Sequence, residues 1–207
     1  FEGAQGSLLD INHGTYPYVT SSSTIAAGAA NAVGFDPRAI NDVVGIAKAY
    51  VTRVGEGPFP TEIEGPIGEQ LAKKGFEFGA TTNRPRRCGW FDSVAMRYAV
   101  LLNGLDRVLL NKLDILSGFE TLKIAVSYEH PILGTLSDFP ASTRVLEACT
   151  VNYETLPGWA DSLPTSGKTT DLPLNAQRYL QAIEDLSHCQ IAYVGTGPGR
   201  NEYLERV

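Results

Sequence analysis

The chain has 207 residues, 43% of them apolar and 19% charged, and a formal net charge of −6. Apart from one short loop it holds no basic stripe, which argues against a nucleic-acid partner, and no apolar run reaches the length of a membrane span. Cys88, Cys149 and Cys189 are odd in number and widely spaced, which fits a reducing, cytoplasmic setting and neither a disulfide framework nor a zinc site. His13, His130 and His188 show no metal-ligand spacing to one another.

The first six residues, Phe-Glu-Gly-Ala-Gln-Gly, read as the end of a strand entering a turn. Gly3 and Gly6 let the backbone approach a ligand, and Gln5 offers both a donor and an acceptor. A plain glycine turn fits equally well. The chain opens inside that turn with no initiator Met, and is read as a piece of something longer. The hydroxyls at 20–23 precede a small-residue segment, 24–32, predicted as a helix capped by one of them. Four hydroxyls at a helix N-terminus also suit a phosphate. Asp36-Pro37 predicts a short helix start. The β-branched stretch 43–54, with Lys48 inside it, reads as one strand ended by the loop 55–60. Residues 67–74 read as a short helix closed by Gly75 at C′.

The loop 79–87 then sets Arg84, Arg86 and Arg87 close together behind Gly79, Thr81, Thr82 and Asn83. Guanidinium forks match carboxylate and phosphate oxygens two bonds at a time, and Pro85 fixes one backbone angle. A solvated basic turn is the plain alternative. Its place between two predicted helices, and the apolar run Cys88-Gly89-Trp90-Phe91 after it, favour a binding loop. Asp92 reads as the N-cap of a helix over 93–103 stopped by Gly104. Val94, Tyr98, Leu101 and Leu102 would form its core stripe, with Met96 off it. The short apolar strand 107–110 fits a buried parallel sheet and delivers Asn111-Lys112-Leu113-Asp114 at its carboxyl end. Residues 121–128 form a strand, 130–146 are loop-rich, 151–159 run from a strand into a turn, and 158–171 are polar and exposed. The helix 174–186 is the clearest, with Ala176, Tyr179, Leu180 and Ile183 on its apolar face. Strand 190–194 ends in a second glycine loop, 195–200.

Two of these stretches carry chemistry. A carboxylate such as Asp114 accepts both the ring N–H and the amino group of guanine. Adenine has neither donor there, and sites built on such a pairing reject the analogue lacking it by roughly 10⁴–10⁵. The Lys112 stem can cover the flat face of a base while its ammonium stays wet. The position after a buried strand is where ligands sit on open α/β sheets. A chance surface turn stays open as an alternative. The 195–200 backbone could line the other edge of a base or a phosphate, or be an ordinary turn. No Gly-x-x-x-x-Gly-Lys-Ser/Thr loop is present, so the chain does not read as a free-standing GTPase. Spacing favours no Ser–His–Asp or Cys–His grouping.

Taken together the motifs resemble the adenylosuccinate synthetase family. They are Phe-Glu-Gly-Ala-Gln-Gly at 1–6, Thr-Tyr-Pro-Tyr-Val-Thr-Ser-Ser at 15–22, Thr-Arg-Val-Gly-Glu-Gly-Pro-Phe-Pro-Thr-Glu at 52–62, Glu-Phe-Gly-Ala-Thr-Thr at 77–82, Lys-Leu-Asp at 112–114, Tyr-Glu-Thr-Leu-Pro-Gly-Trp at 153–159 and Thr-Gly-Pro at 196–198. They run in the family's order, cover nearly the whole chain and match the C-terminal half of a family enzyme. The resemblance implies an α/β fold with a mostly parallel central sheet flanked by helices, part of a larger P-loop-like GTP-dependent ligase. Residues 1–207 would be the C-terminal portion of a single domain. Strands 107–111 and 190–194 would be flanked by N-terminal strands, so that this chain alone exposes a sheet edge and dissolves poorly or assembles.

The implied reaction joins IMP and L-aspartate to adenylosuccinate in AMP biosynthesis. GTP phosphorylates the purine oxygen, and the aspartate amine displaces the phosphate. The resemblance puts Gln5 at the reacting edge of IMP, Thr20 on its phosphate, the Val54 backbone on the nucleotide and Arg84 shared between IMP and aspartate. Thr81, Thr82, Asn83, Arg84 and Arg86 would form the aspartate loop, with Thr82 and Arg86 on its carboxylates and Arg86 also near GTP. Lys112, Leu113 and Asp114 would read guanine, with Gly195, Thr196 and Gly197 beside them. Asn83 replaces a family glycine and Pro85 an arginine, which stiffens the loop. Gly195 stands where Ser is more usual. The family's catalytic aspartate and histidine and its magnesium (Mg2+) ligands are implied to lie in the N-terminal half, so no catalytic or metal residue is expected here and the chain alone is expected to be inactive. The complete protein would be a cytoplasmic homodimer. The competing reading is a catalytically inactive truncated relative that binds guanine nucleotide or a protein partner.

Overall fold

The structure is a computed structural model and describes residues 1–79, 84–160 and 162–206. Residues 1–6 hold no strand, contrary to expectation, and a 3-10 turn follows at Ser7–Leu9. Helix α1 (Ala26–Val33) is not capped by the hydroxyls ahead of it. Ser23 Oγ and the Thr24 N–H both donate to Asp10, at 2.9 and 2.7 Å, and Thr24 Oγ1 donates to the Gly6 carbonyl. The Ser23 and Thr24 hydroxyls thus serve the preceding loop. The first helical N–H, that of Ala26, donates instead to Asn103 Oδ1 at 2.9 Å. Asp36 does cap the expected short helix, a 3-10 turn at Pro37–Ala39.

The stretch read as one strand is two, β1 (Val44–Lys48) and β2 (Val51–Arg53), which lie in different sheets. The bend between them buries Ala49 and Tyr50 and lets the Ala49 N–H donate to the Asn111 carbonyl at 2.8 Å. Helix α2 (Pro66–Lys74) follows, as expected. Gly75 ends it at φ −80°, so its role is not a left-handed turn. A Cβ there would sit 2.3 Å from Tyr50 Oη, and close approach is what demands glycine.

The chain continues through β3 (Arg87–Gly89), β4 (Phe91–Asp92), α3 (Ser93–Asn103), β5 (Arg107–Asn111), β6 (Thr121–His130), β7 (Gly134–Leu136), α4 (Thr143–Glu147), β8 (Thr150–Pro157), β9 (Ser166–Lys168), α5 (Leu174–Ser187), β10 (Ile191–Gly195) and β11 (Tyr203–Glu205). Asp92 caps α3 by accepting from the Ala95 N–H at 3.0 Å, and Gly104 stops it in the left-handed conformation, both as expected. The core stripe of α3 differs. Leu101 is 78% exposed, whereas Met96 packs against the core. On the same helix Arg97 donates to the carbonyls of Leu186 and Ser137, both at 2.7 Å.

The main sheet has the order β1-β5-β10-β11-β9. The pairs β1–β5, β5–β10 and β9–β11 are parallel, and β10–β11 is antiparallel. This is the mostly parallel α/β sheet that the resemblance implied. The strands at 107–111 and 190–194 are interior, however, flanked by β1 and by β11. The edge strands are β1, where Ile46 is 68% exposed, and β9, which is exposed throughout. A second sheet is built on β6, with β4 parallel to it and β7 and β8 antiparallel. Strands β2 and β3 form a separate antiparallel pair. The core lies between the main sheet, α5 and β6. Leu110, Val194 and Leu204 of the main sheet, Tyr179, Leu180 and Ile183 of α5, and Leu122 and Ile124 of β6 belong to one buried cluster. The stretch 158–171 is not all exposed, since Trp159 and Thr169 are buried.

Candidate functional site

Strands β5 and β10 run parallel with Leu110 beside Val194, so both release their chains at the same sheet edge. That edge carries the two sequence motifs. Leu113 is fully buried and pins the first turn. Its N–H donates to the Gly195 carbonyl at 3.2 Å, which ties the two loops together. Asp114 then opens a 3-10 turn, Asp114–Leu116. Burial pushes its carboxyl up from the ordinary value, against the opposing pull of backbone N–H groups and the Lys74 and Lys112 charges. A Cβ on Gly195 would lie 2.5 Å from Asn111 Oδ1, so the Asn111 amide fills the space a serine side chain would need. The Thr196 N–H donates to the Glu202 carbonyl at 3.0 Å. Its hydroxyl is buried and has no hydrogen-bond partner among the described residues. An unmade bond of that kind costs about 1–3 kcal/mol.

Lys112 departs from expectation. It adopts φ 64°, and its ammonium is not left to water. Nζ donates to the Gly75 carbonyl at 2.7 Å and to Glu77 Oε1 at 2.6 Å. The turn directs it back toward the end of α2, and only its stem remains to cover a base.

Glu77 is the centre that sequence reasoning missed. It is fully buried, and Tyr50 Oη donates to the same Oε1 at 2.5 Å. Lys48 Nζ and an Arg86 guanidinium nitrogen each donate to Oε2 at 2.9 Å. Burial works to raise its pKa, but the bonds from Lys112, Tyr50 and Lys48 outweigh that and hold it down to about 2. Lys48 is itself pushed below its ordinary value by burial, partly offset by Glu77. Lys48, Arg86 and Lys112 all pair with this one carboxylate. The cluster therefore keeps an excess of positive charge in an acidic chain. The signals in the sequence were an acid just ahead of the arginine run and a Lys48–Tyr50 pair two residues apart.

The arginines divide. Arg87 pairs with Glu62 and donates to the Gly57 carbonyl at 3.0 Å, so it braces the 55–62 loop. Arg86 reaches Glu77. Arg84 is exposed, and no carboxylate among the described residues pairs with it. The base of the loop is closed by the Gly79 N–H on the Arg84 carbonyl at 2.8 Å and the Arg86 N–H on the Glu77 carbonyl at 2.9 Å. Cys88, Trp90 and Phe91 are buried beneath it, as expected. Thr81, Thr82 and Asn83 lie outside the described residues.

The remaining expected residues sit on neighbouring loops. Gln5 is exposed and Thr20 half-buried, its N–H donating to the Leu9 carbonyl at 2.9 Å. Val54 is exposed at the end of β2. Arg53 joins that end to the loop before Thr20 through Thr15 Oγ1 at 3.0 Å and the Tyr18 carbonyl at 3.3 Å. Among the described residues no hydrogen bond links Gln5 or Thr20 to the arginine loop. Nor does any group of three or more His, Cys, Asp or Glu among them fit a metal ion.

The family model for adenylosuccinate synthetase matches residues 1–204. The chain is 55% identical over 204 residues to the adenylosuccinate synthetase of Pelotomaculum thermopropionicum, covering 99% of this chain and 48% of that protein. A solved structure of fully ligated adenylosuccinate synthetase from Plasmodium falciparum superposes with a TM-score of 0.95 at 40% identity, over 100% of this chain and 49% of that one. The cyanophage S-2L succinoaminodeoxyadenylate synthetase, solved with dGMP and dATP, shares the fold at a TM-score of 0.57 and 24% identity, over 98% of this chain and 45% of that one. The chain thus spans about half the length of the curated relatives it matches. With the mostly parallel sheet, the paired loops at its edge and a family match along almost its whole length, the chain belongs to the adenylosuccinate synthetase family.

Proposed function

We propose that this chain supplies the IMP, aspartate and guanine recognition of a GTP-dependent ligase that joins IMP and L-aspartate to adenylosuccinate. The observation that carries the reading is the bond from Leu113 to Gly195. It sets the Asp114 carboxylate beside the Gly195–Gly197 backbone at one sheet edge, so a guanine held by the carboxylate would have that loop next to it. Asp114 accepts the guanine N–H groups, the Lys112 stem covers the ring, and Gly195 to Gly197 line its other edge. Arg84 and Arg86, with Thr81, Thr82 and Asn83, hold the aspartate carboxylates. Arg84 is shared with IMP, whose phosphate goes to Thr20 and whose ring meets Gln5 and the Val54 backbone.

Magnesium belongs to the family chemistry; no group of three or more His, Cys, Asp or Glu among the described residues is placed to hold a metal ion, and none of these steps runs through one. The complete protein is proposed to be a homodimer in the cytoplasm. Among the described residues no helix is long and apolar enough to cross a membrane. Fold alone does not select the purine of the phosphate donor, since the cyanophage relative was solved with dATP. Asp114→Asn tests the assignment. Losing hydrogen bonds to a charged acceptor costs about 1.5–3 kcal/mol, so calorimetry on the complete protein carrying this chain should give a GDP affinity roughly 10–100-fold weaker, with IMP affinity unchanged. An unchanged GDP affinity contradicts the role.

A further inference from the structure

Glu77 touches no proposed ligand position, yet it holds one arm of each of two proposed sites. A carboxylate has two oxygens with about four acceptor positions. Here Lys48 and Arg86 occupy Oε2, while Tyr50 and Lys112 occupy Oε1. No acceptor capacity is left for a substrate, and a carboxylate held ionised by that many donors is a poor proton acceptor. Glu77 is therefore unsuited to acid–base work. Its partners come from distant parts of the chain. Arg86 closes the arginine loop, Lys112 belongs to the Asn111–Asp114 turn, and Lys48 ends β1. The position is fully buried, and the Arg86 N–H is also fixed on the Glu77 carbonyl. Neither arm can shift without pulling on a bond the other shares.

We infer that Glu77 is a positioning residue that sets Arg86 against Lys112 and so couples carboxylate binding in the arginine loop to guanine binding at the sheet edge. The inference rests on the ligand assignments proposed above. A buried ion cluster with only a structural role would lower stability on mutation without linking the two ligands. Linkage separates the cases, because coupling between two ligands is reciprocal and typically amounts to about 5–150-fold.

The test uses the complete protein carrying this chain, with IMP present. The affinity for succinate, a dicarboxylate without the reacting amine, is measured by calorimetry with and without GDP. In the unmodified protein GDP should tighten succinate by about tenfold, within the usual range for coupled sites. In Glu77→Gln, which keeps the shape but replaces half the acceptor set with a donor, the factor should fall toward one. Tyr50→Phe removes a single Oε1 partner and keeps the core ring. It should lower the factor partway, and it serves if Glu77→Gln does not fold. A factor of one in the unmodified protein, or the same factor in protein and variant, overturns the inference. A protein that binds ADP as well as GDP instead defeats the guanine assignment, a separate result visible before any variant is made.

Discussion

At the scale of single residues the site holds two carboxylates driven in opposite directions. Burial raises the pKa of Asp114, whereas the surrounding donors overcome burial and hold Glu77 at about 2. The consequences for pH separate. Glu77 is depressed from 4.5, so the stability it contributes is complete above that value and is lost as pH falls from there toward about 2. Asp114 is raised above 3.8, so the ionised form proposed to accept guanine is lost at a higher pH than an ordinary aspartate would show. On acidification, GDP affinity should therefore fall while near-ultraviolet circular dichroism still reports native packing. Both signals falling together within the Glu77 window would contradict this. Asp114 was singled out from sequence because its motif is short and local. Glu77 was not, since its donors lie 9, 27, 29 and 35 residues away and only the folded sheet gathers them.

At the scale of elements, helix α3 was read with its cap and its stop because both signals are local. Asp92 also accepts from Tyr128 Oη at 2.7 Å, a bond to the second sheet that no local signal announces. Asp92→Ala removes the cap and leaves a buried hydroxyl without its partner. The expected loss is about 1–3 kcal/mol, read as a lower midpoint in urea. A shift no larger than that of an exposed site would show that the cap and the Tyr128 bond contribute little. Where local signals misled, a distant partner had taken the group. The hydroxyls before α1 serve Asp10 and Gly6 rather than the helix. The stretch 43–54 breaks in two because Ala49 and Tyr50 turn inward to meet Asn111 and Glu77. The helical period alone did not specify that Leu101 faces solvent while Met96 packs against the core.

At the scale of the whole molecule, parallel pairing of β1, β5 and β10 places the carboxyl ends of the strands together, the usual ligand position of an open α/β sheet. The motif at 111–114 and the loop at 195–197 lie more than eighty residues apart in sequence yet meet there through one backbone bond. That pairing was implied by resemblance, and its geometry needed the sheet. The most direct test of the guanine assignment compares GDP with ADP by competition calorimetry on the complete protein carrying this chain. A carboxylate reading guanine predicts a preference for GDP of several decades, up to roughly 10⁴–10⁵. Equal affinity for the two would contradict the account.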